Sequence, residues 1–373
     1  MISSTSSSNP HRRFVAALLA MVLSSMAGLI AFGLYLQPNN GNSNEAWLVR
    51  NGGYAERDYG WNKPQQAFIQ PLYDRDNYDR YHDIVILGDS FTDLYQPYQW
   101  QNYLAAATDK SVMVLSLRRG VSFKQVLNNP VFQQNPPRIF IYEVAERVLN
   151  LINNATQCPA AGAANVKVIQ SHTISKIAKP INWAHLLAKR VTWIERATGL
   201  QVEKLGELIS HTKKYLWRNF LRKVFDFEIT NTDENQLIRA APFSSRNTRT
   251  LLTFEGERLK QHWNAATLDK MVCEIEQARQ QIEANGKTRF VMLIAPDKLT
   301  AYEDFLSNQN LQRISFIDAV ASRLPNVVPR LDTPLQAAIR AGELDVYLPD
   351  DTHWSWRGHQ IAAETLLDFL GGV

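Results

Sequence analysis

The chain has 373 residues, 45% hydrophobic and 20% charged, with 40 basic against 36 acidic side chains and a formal charge of +4. This is the composition of a folded protein with a sizeable core, and it excludes disordered, collagen-like and repeat architectures. So small a positive balance, with no basic stripe interleaved with stacking aromatics, argues against nucleic acid as a partner.

Residues 14–36, FVAALLAMVLSSMAGLIAFGLYL, contain no charge. Roughly 20 helical residues cross the hydrocarbon core of a bilayer, so this run predicts a transmembrane helix. His11, Arg12 and Arg13 precede it, and no basic residue follows before Arg50. The asymmetry places residues 1–13 in the cytoplasm and exports the body, with 14–36 as a single-pass signal anchor. A cleaved signal peptide is the alternative, but its apolar region is usually about 7–15 residues long and ends in a small-residue site. Here the run ends Leu34-Tyr35-Leu36-Gln37. Both readings export the body.

Residues 37–82 read as a polar, Asn-rich linker followed by an aromatic lead-in without a clear period. Trp47, Tyr54, Tyr59 and Trp61 of that lead-in suit either a core or sugar stacking. From residue 83 the pattern changes to short apolar runs separated by helical stretches: DIVILG (83–88), SVMVLS (111–116), RIFIYEV (138–144), RFVMLIA (289–295) and the weaker NVVPRL (326–331). Continuous apolar runs with helical spacers predict strands buried on both faces, hence an α/β domain with about five parallel strands over 83–373. A mainly helical insertion is expected at about 155–285, loop-like at 155–170, helical and basic over 183–225, and helical again near 256–284. Its basic residues suit a solvated face, an anionic polysaccharide or a membrane surface. Residues 357–370 read as an amphipathic helix. Cys158 and Cys273 are either a pair, in an oxidising compartment, or two small buried hydrophobes.

The sharpest local signal is ILGDSFTDLY (86–95). A buried strand ends at Gly88, and Ser90 follows where the chain turns toward a helix. Strand C-termini of an open parallel sheet form the crevice in which ligands sit. A serine there presents its hydroxyl to the crevice, and its own N–H helps to bind an oxyanion. The opposite end of the chain supplies the partner, YLPDDTHWSWRGHQIAAETL (347–366). A serine hydroxyl needs a histidine to take its proton, and that histidine needs a carboxylate to fix its tautomer. His353, with Asp351 two residues before it and Asp350 three, meets the requirement. His359, on the following helix, reads as structural.

These residues resemble the SGNH/GDSL hydrolase superfamily, and more closely the SGNH-like proteins that O-acetylate exported polysaccharides, such as the alginate O-acetylation proteins. The resemblance rests on LGDSF, IYEVAERVL (141–149), IAPDKLTAYEDF (294–305) and YLPDDTHWSWRGH (347–359). It implies a flavodoxin-like fold, with Ser90 as nucleophile, His353 as base and Asp351 as orienting acid. The wider superfamily spacing selects Asp350; the D-x-H-W box completed by Trp354 selects Asp351. Two departures stand out. The serine segment precedes the D-x-H-W box here, the reverse of the alginate proteins. The usual Gly-x-Asn of the third block is replaced by Glu143, Glu146 and Arg147. Arg147 is then either an oxyanion or substrate contact or part of an ion pair with Glu146 or Glu143. Gly120, after the second strand, matches the second-block glycine and its expected backbone donor.

The resemblance implies an acyltransferase that forms an acetyl ester on Ser90 and passes it to a polysaccharide hydroxyl. It implies an inner-membrane protein with its catalytic domain in the periplasm, fed by a multispanning membrane acyltransferase. No metal or nucleotide cofactor is expected, since neither a P-loop nor a dinucleotide fingerprint is present. An exported carbohydrate esterase with the same triad and a non-catalytic polysaccharide-binding subunit are the alternatives.

Overall fold

A computed structural model describes residues 10–36, 47–61, 63–94, 96–151, 158, 202–225 and 230–371. Four of the expected apolar runs become adjacent parallel strands: β2 (Ile84–Gly88), β3 (Val112–Ser116), β4 (Ile139–Ala145) and β7 (Arg289–Ala295). All but the first residue of β7 are buried, as strands covered on both faces require. Successive side chains alternate between two cores. Ile84 and Ile86 pack with Trp100, Leu104, Ile361 and Leu366 on one face. Val85 and Leu87 pack with Met271, Ile275, Ala278 and Ile282 on the other. Helices Trp100–Thr108 and Trp356–Leu370 therefore cover one face of the sheet, and helix Ala265–Glu283 covers the other.

The fifth strand is not the expected one. NVVPRL forms no strand; Val327 lies beside β7 and accepts one hydrogen bond from the Met292 amide (2.9 Å). Pro329 has no N–H with which to continue a ladder. The fifth strand is instead β1 (Asp74–Arg75), which pairs with β3 and brings the lead-in into the sheet. The order is β1-β3-β2-β4-β7. Without the edge strand this is the flavodoxin-like order, in which β3 and β4 leave β2 on opposite sides and open a crevice at its C-terminal end.

The block at 155–285 is described in part, and its described residues are not all helical. It contains an antiparallel hairpin, β5 (Thr232–Gln236) with β6 (Thr250–Phe254), which packs on helix Trp47–Gly52 through Leu48, Val49 and Leu252. The stretch near 256–284 is interrupted: 3₁₀ turns over Glu255–His262 precede helix Ala265–Glu283, which Asn264 caps by accepting from the Thr267 amide (3.0 Å). Of the basic stretch, helix Val202–Phe225 is described; the earlier part and most of the loop-like stretch lie outside the described residues. The cysteines, left open above, form a Cys158–Cys273 disulfide with a Cα–Cα distance of 5.8 Å. At the N-terminus, helix Pro10–Leu36 contains an 18-residue stretch with a mean hydropathy of 2.3 and is long and apolar enough to cross a membrane.

Candidate active site

The turn after β2 is built around Gly88. A Cβ there would stand 2.3 Å from Thr92 Oγ1 and 2.7 Å from Glu143 Oε2, so only glycine lets the chain turn so tightly. Asp89 caps the short helix Ser90–Asp93, accepting from the Phe91 amide (3.0 Å) through one oxygen and from the Ala145 amide (2.8 Å) through the other. Glu143 reaches over from β4 and accepts from the Asp89 amide (3.0 Å) and the Thr92 hydroxyl (2.8 Å). Burial, then the neighbouring Asp89 carboxylate, push Glu143 well above the ordinary glutamate range. The Ser90 turn is thus clamped to the end of β4 from two sides. Ser90 is the first residue of its helix, where the amide has no intrahelical acceptor.

The loop 348–353 brings the histidine to this serine. It is closed by a Tyr347–Trp354 bridge and a hydrogen bond from the Leu348 amide to the His353 carbonyl (3.0 Å). His353 Nε2 lies 2.8 Å from Ser90 Oγ, and His353 Nδ1 lies 2.5 Å from Asp351 Oδ1. Asp351 also accepts from the His353 amide (3.1 Å) and, through Oδ2, from the Trp47 amide (3.3 Å). Burial alone would raise this carboxyl, but the His353 ring and amide outweigh it and hold Asp351 below the usual range. Asp350 is different: it is buried without such partners, and desolvation beside Asp351 drives it well above the normal carboxylate range. Of the two aspartates, Asp351 is the one in contact with His353.

Trp354 is fully buried and sets the box by packing. Its ring meets Phe91 edge-on at 4.7 Å and Tyr347 at 6.5 Å, so it wedges between the serine turn and the histidine loop. Gly358 admits it, since a Cβ there would lie 2.4 Å from the Val346 carbonyl oxygen. His359 is buried against Trp354 and Tyr98, and burial drops it to about 3. Its place is structural, as the sequence suggests.

The P-D-K segment acquires a role that sequence reading did not assign. Lys298 Nζ is buried and donates to three carbonyls of the histidine loop: Leu348 (2.8 Å), Pro349 (2.9 Å) and Asp351 (3.0 Å). Desolvation lowers this lysine to about 8. Asp297 binds Arg147 (2.5 Å) through one oxygen and Lys260 (2.8 Å) through the other. Lys260 also donates to Glu146 (2.7 Å) and Thr300 (2.7 Å). Arg147 therefore pairs with Asp297, and neither Glu146 nor Glu143 is its partner. It stays partly exposed, its guanidinium 5.9 Å from the Phe91 ring and 5.4 Å from the Phe254 ring. Lys260 and Glu257, which ties Thr352 (2.9 Å) to the Leu299 amide (2.8 Å), were missed because an isolated charge in a helical pattern reads as surface.

Gly120 has φ +87° at an exposed turn, and its amide donates to the Leu117 carbonyl (3.1 Å). The backbone donor expected there is thus already engaged. Of the aromatic lead-in, Tyr54, Tyr59 and Trp61 are core residues, while Trp47 is exposed with its ring on Phe254.

On a parallel α/β sheet, at the C-terminal end of β2, Ser90, His353 and Asp351 stand in the geometry of a serine with a base and an orienting acid. Residues 252–371 match the family model for the SGNH hydrolase-like domain of the acetyltransferase AlgX, which bears out the resemblance seen in the sequence. The matched region contains Asp351 and His353 and ends after the last helix. No curated protein and no solved structure matches the chain.

Proposed function

We propose that the protein is a cell-envelope O-acyltransferase that carries an acetyl group on Ser90 and delivers it to hydroxyls of an exported polysaccharide. The observation that carries this reading is the His353 ring, in hydrogen-bond contact with both Ser90 Oγ and the Asp351 carboxylate.

In this mechanism Ser90 Oγ attacks the acetyl carbonyl while His353 Nε2 takes its proton. Asp351 remains anionic and holds Nδ1–H, so the ring presents an unprotonated Nε2 to the serine. The tetrahedral oxyanion forms at the Ser90 amide, with the exposed edge of Arg147 as the second donor in place of Gly120. His353 then protonates the departing group, leaving an acetyl ester. A sugar hydroxyl, deprotonated by His353, attacks that ester and restores Ser90. The chemistry uses no cofactor. The apolar anchor helix and the disulfide agree with an exported body, and a multispanning membrane acyltransferase is the natural donor of acetyl groups there.

The test is acetyl release from 4-nitrophenyl acetate by the full chain, with and without a sugar oligomer, beside Ser90→Ala and His353→Ala. Removing a triad member typically costs several orders of magnitude in rate. Acetyl appearing on the oligomer in the wild type alone supports the transferase; release only to water selects an exported esterase. Equal inertness of wild type and both variants would overturn the catalytic reading in favour of a binding subunit.

A further inference from the structure

Helix Val202–Phe225 has two faces of opposite character. The inner face is fully engaged. Leu208 and Thr212 are buried against Gly33 of the N-terminal helix, and the Tyr215 ring lies 5.8 Å from Phe32. Asn219 and Arg222 donate to the Gly53 and Gly52 carbonyls (2.9 and 2.6 Å). The outer face carries Lys213, Trp217, Phe220 and Val224 along one stripe, at the spacing of one side of a helix. Leu216 and Phe225 flank it, and these five apolar side chains are 43–64% exposed. Among the described residues, the Trp217 ring stacks on Phe220 at 6.1 Å and the Phe225 ring meets Phe220 edge-on at 5.9 Å.

We propose that this outer face lies in the surface of the bilayer that the N-terminal helix enters, with anionic phospholipid as its partner. The proposal rests on reading Pro10–Leu36 as a membrane span. Three observations favour lipid over a protein partner. The helix packs directly on the last turns of the span, at Gly33 and Phe32, which brings it to where the chain leaves the membrane. From Leu208 to Phe225 it contains no acidic residue, and Lys213 and Lys214 are exposed beside the apolar stripe. Tryptophan and phenylalanine with adjoining lysines are the side chains that settle at a headgroup boundary. The body would then be held to the membrane at two points, the span and this helix, which fixes its orientation toward the bilayer.

The experiment uses the full chain reconstituted in vesicles of phosphatidylcholine and phosphatidylglycerol. Nitroxides are placed at Trp217→Cys and Phe220→Cys, with Ile238→Cys, an exposed site on the body, as the water-facing control. Collisional accessibility to oxygen is compared with that to a water-soluble nickel chelate. An oxygen-to-nickel ratio severalfold higher at 217 and 220 than at 238 establishes the contact. Ratios equal to the control, in protein that floats with the vesicles, overturn the proposal and leave the span reading intact. Labels that are immobilised and shielded from both probes mean that protein covers the face, and also overturn it. A chain that does not float overturns the span reading and the proposal together.

Discussion

The backbone N–H of Trp47 donates to Oδ2 of Asp351 at 3.3 Å, across 304 positions of sequence. Oδ1 of the same carboxylate takes the ring and amide of His353, so both oxygens are fixed and the carboxylate plane is set by two distant segments. The Leu48 amide adds a contact to the Asp350 carbonyl at 3.2 Å. The lead-in is therefore part of the site.

Replacing Trp47 with proline removes that N–H at the first position of helix Trp47–Gly52, where a proline ring is tolerated. Hydrogen bonds to charged groups contribute about 1.5–3 kcal/mol, and about 1.4 kcal/mol is a factor of ten in rate. Trp47→Pro should lower kcat for ester turnover by about tenfold or more with little change in KM. Trp47→Ala, which keeps the amide, should lose much less. Indistinguishable kcat values for the two variants would mean that this contact does not position the triad.

Asp351→Asn presents an amide to His353 and favours the wrong tautomer, an effect that costs about 10⁴ in kcat in a known Ser–His–Asp enzyme. Asp350→Asn replaces a carboxyl that burial and the neighbouring Asp351 push toward its neutral form with a neutral group of the same shape. The first variant should be nearly inactive and the second close to wild type. Measuring kcat for both decides which aspartate serves the histidine, and the reverse ranking would assign it to Asp350.

Lys298→Met should unlock the histidine loop. Three buried carbonyls lose their donor at once, and each unsatisfied polar group costs about 1–3 kcal/mol. We expect a clear fall in the thermal midpoint together with a loss of activity larger than the unfolded fraction explains. An unchanged midpoint would show that water or another donor replaces the ammonium.

His359 is kept neutral by burial, at about 3 against its usual 6.5. In the unfolded chain it binds a proton as pH falls below 6.5, whereas in the folded protein it does not. Its contribution to stability is therefore present above 6.5 and is lost progressively between 6.5 and 3. The denaturation midpoint of the wild type should fall over that window, and that of His359→Leu should fall less. Parallel pH profiles for the two proteins would place the acid sensitivity elsewhere.

Much of the sheet was legible because continuous apolar runs admit few readings. Strands β2, β3, β4 and β7 fall within a residue or two of the runs that announce them. NVVPRL misled because apolar composition does not register a missing N–H, and β1 escaped notice because two polar residues carry no periodic signal. The hairpin β5–β6 was hidden for a similar reason: TDENQ is polar, and its pairing with TLLTF joins Gln236 to Thr250 and Thr232 to Phe254 across a long connection.

The sequence by itself determined the chemistry at stake: a serine at a strand end, a D-x-H box and an apolar N-terminal run each follow from local residue types. Only the tertiary structure decided which groups meet. It placed Asp351 in contact with His353, paired Arg147 with Asp297, engaged the Gly120 amide in its own turn, and set Lys298 beneath the histidine loop. The reason is physical. Local sequence governs backbone preference and which side chains seek burial, whereas a buried charge takes its partner from whatever segment the packing brings within about 3 Å.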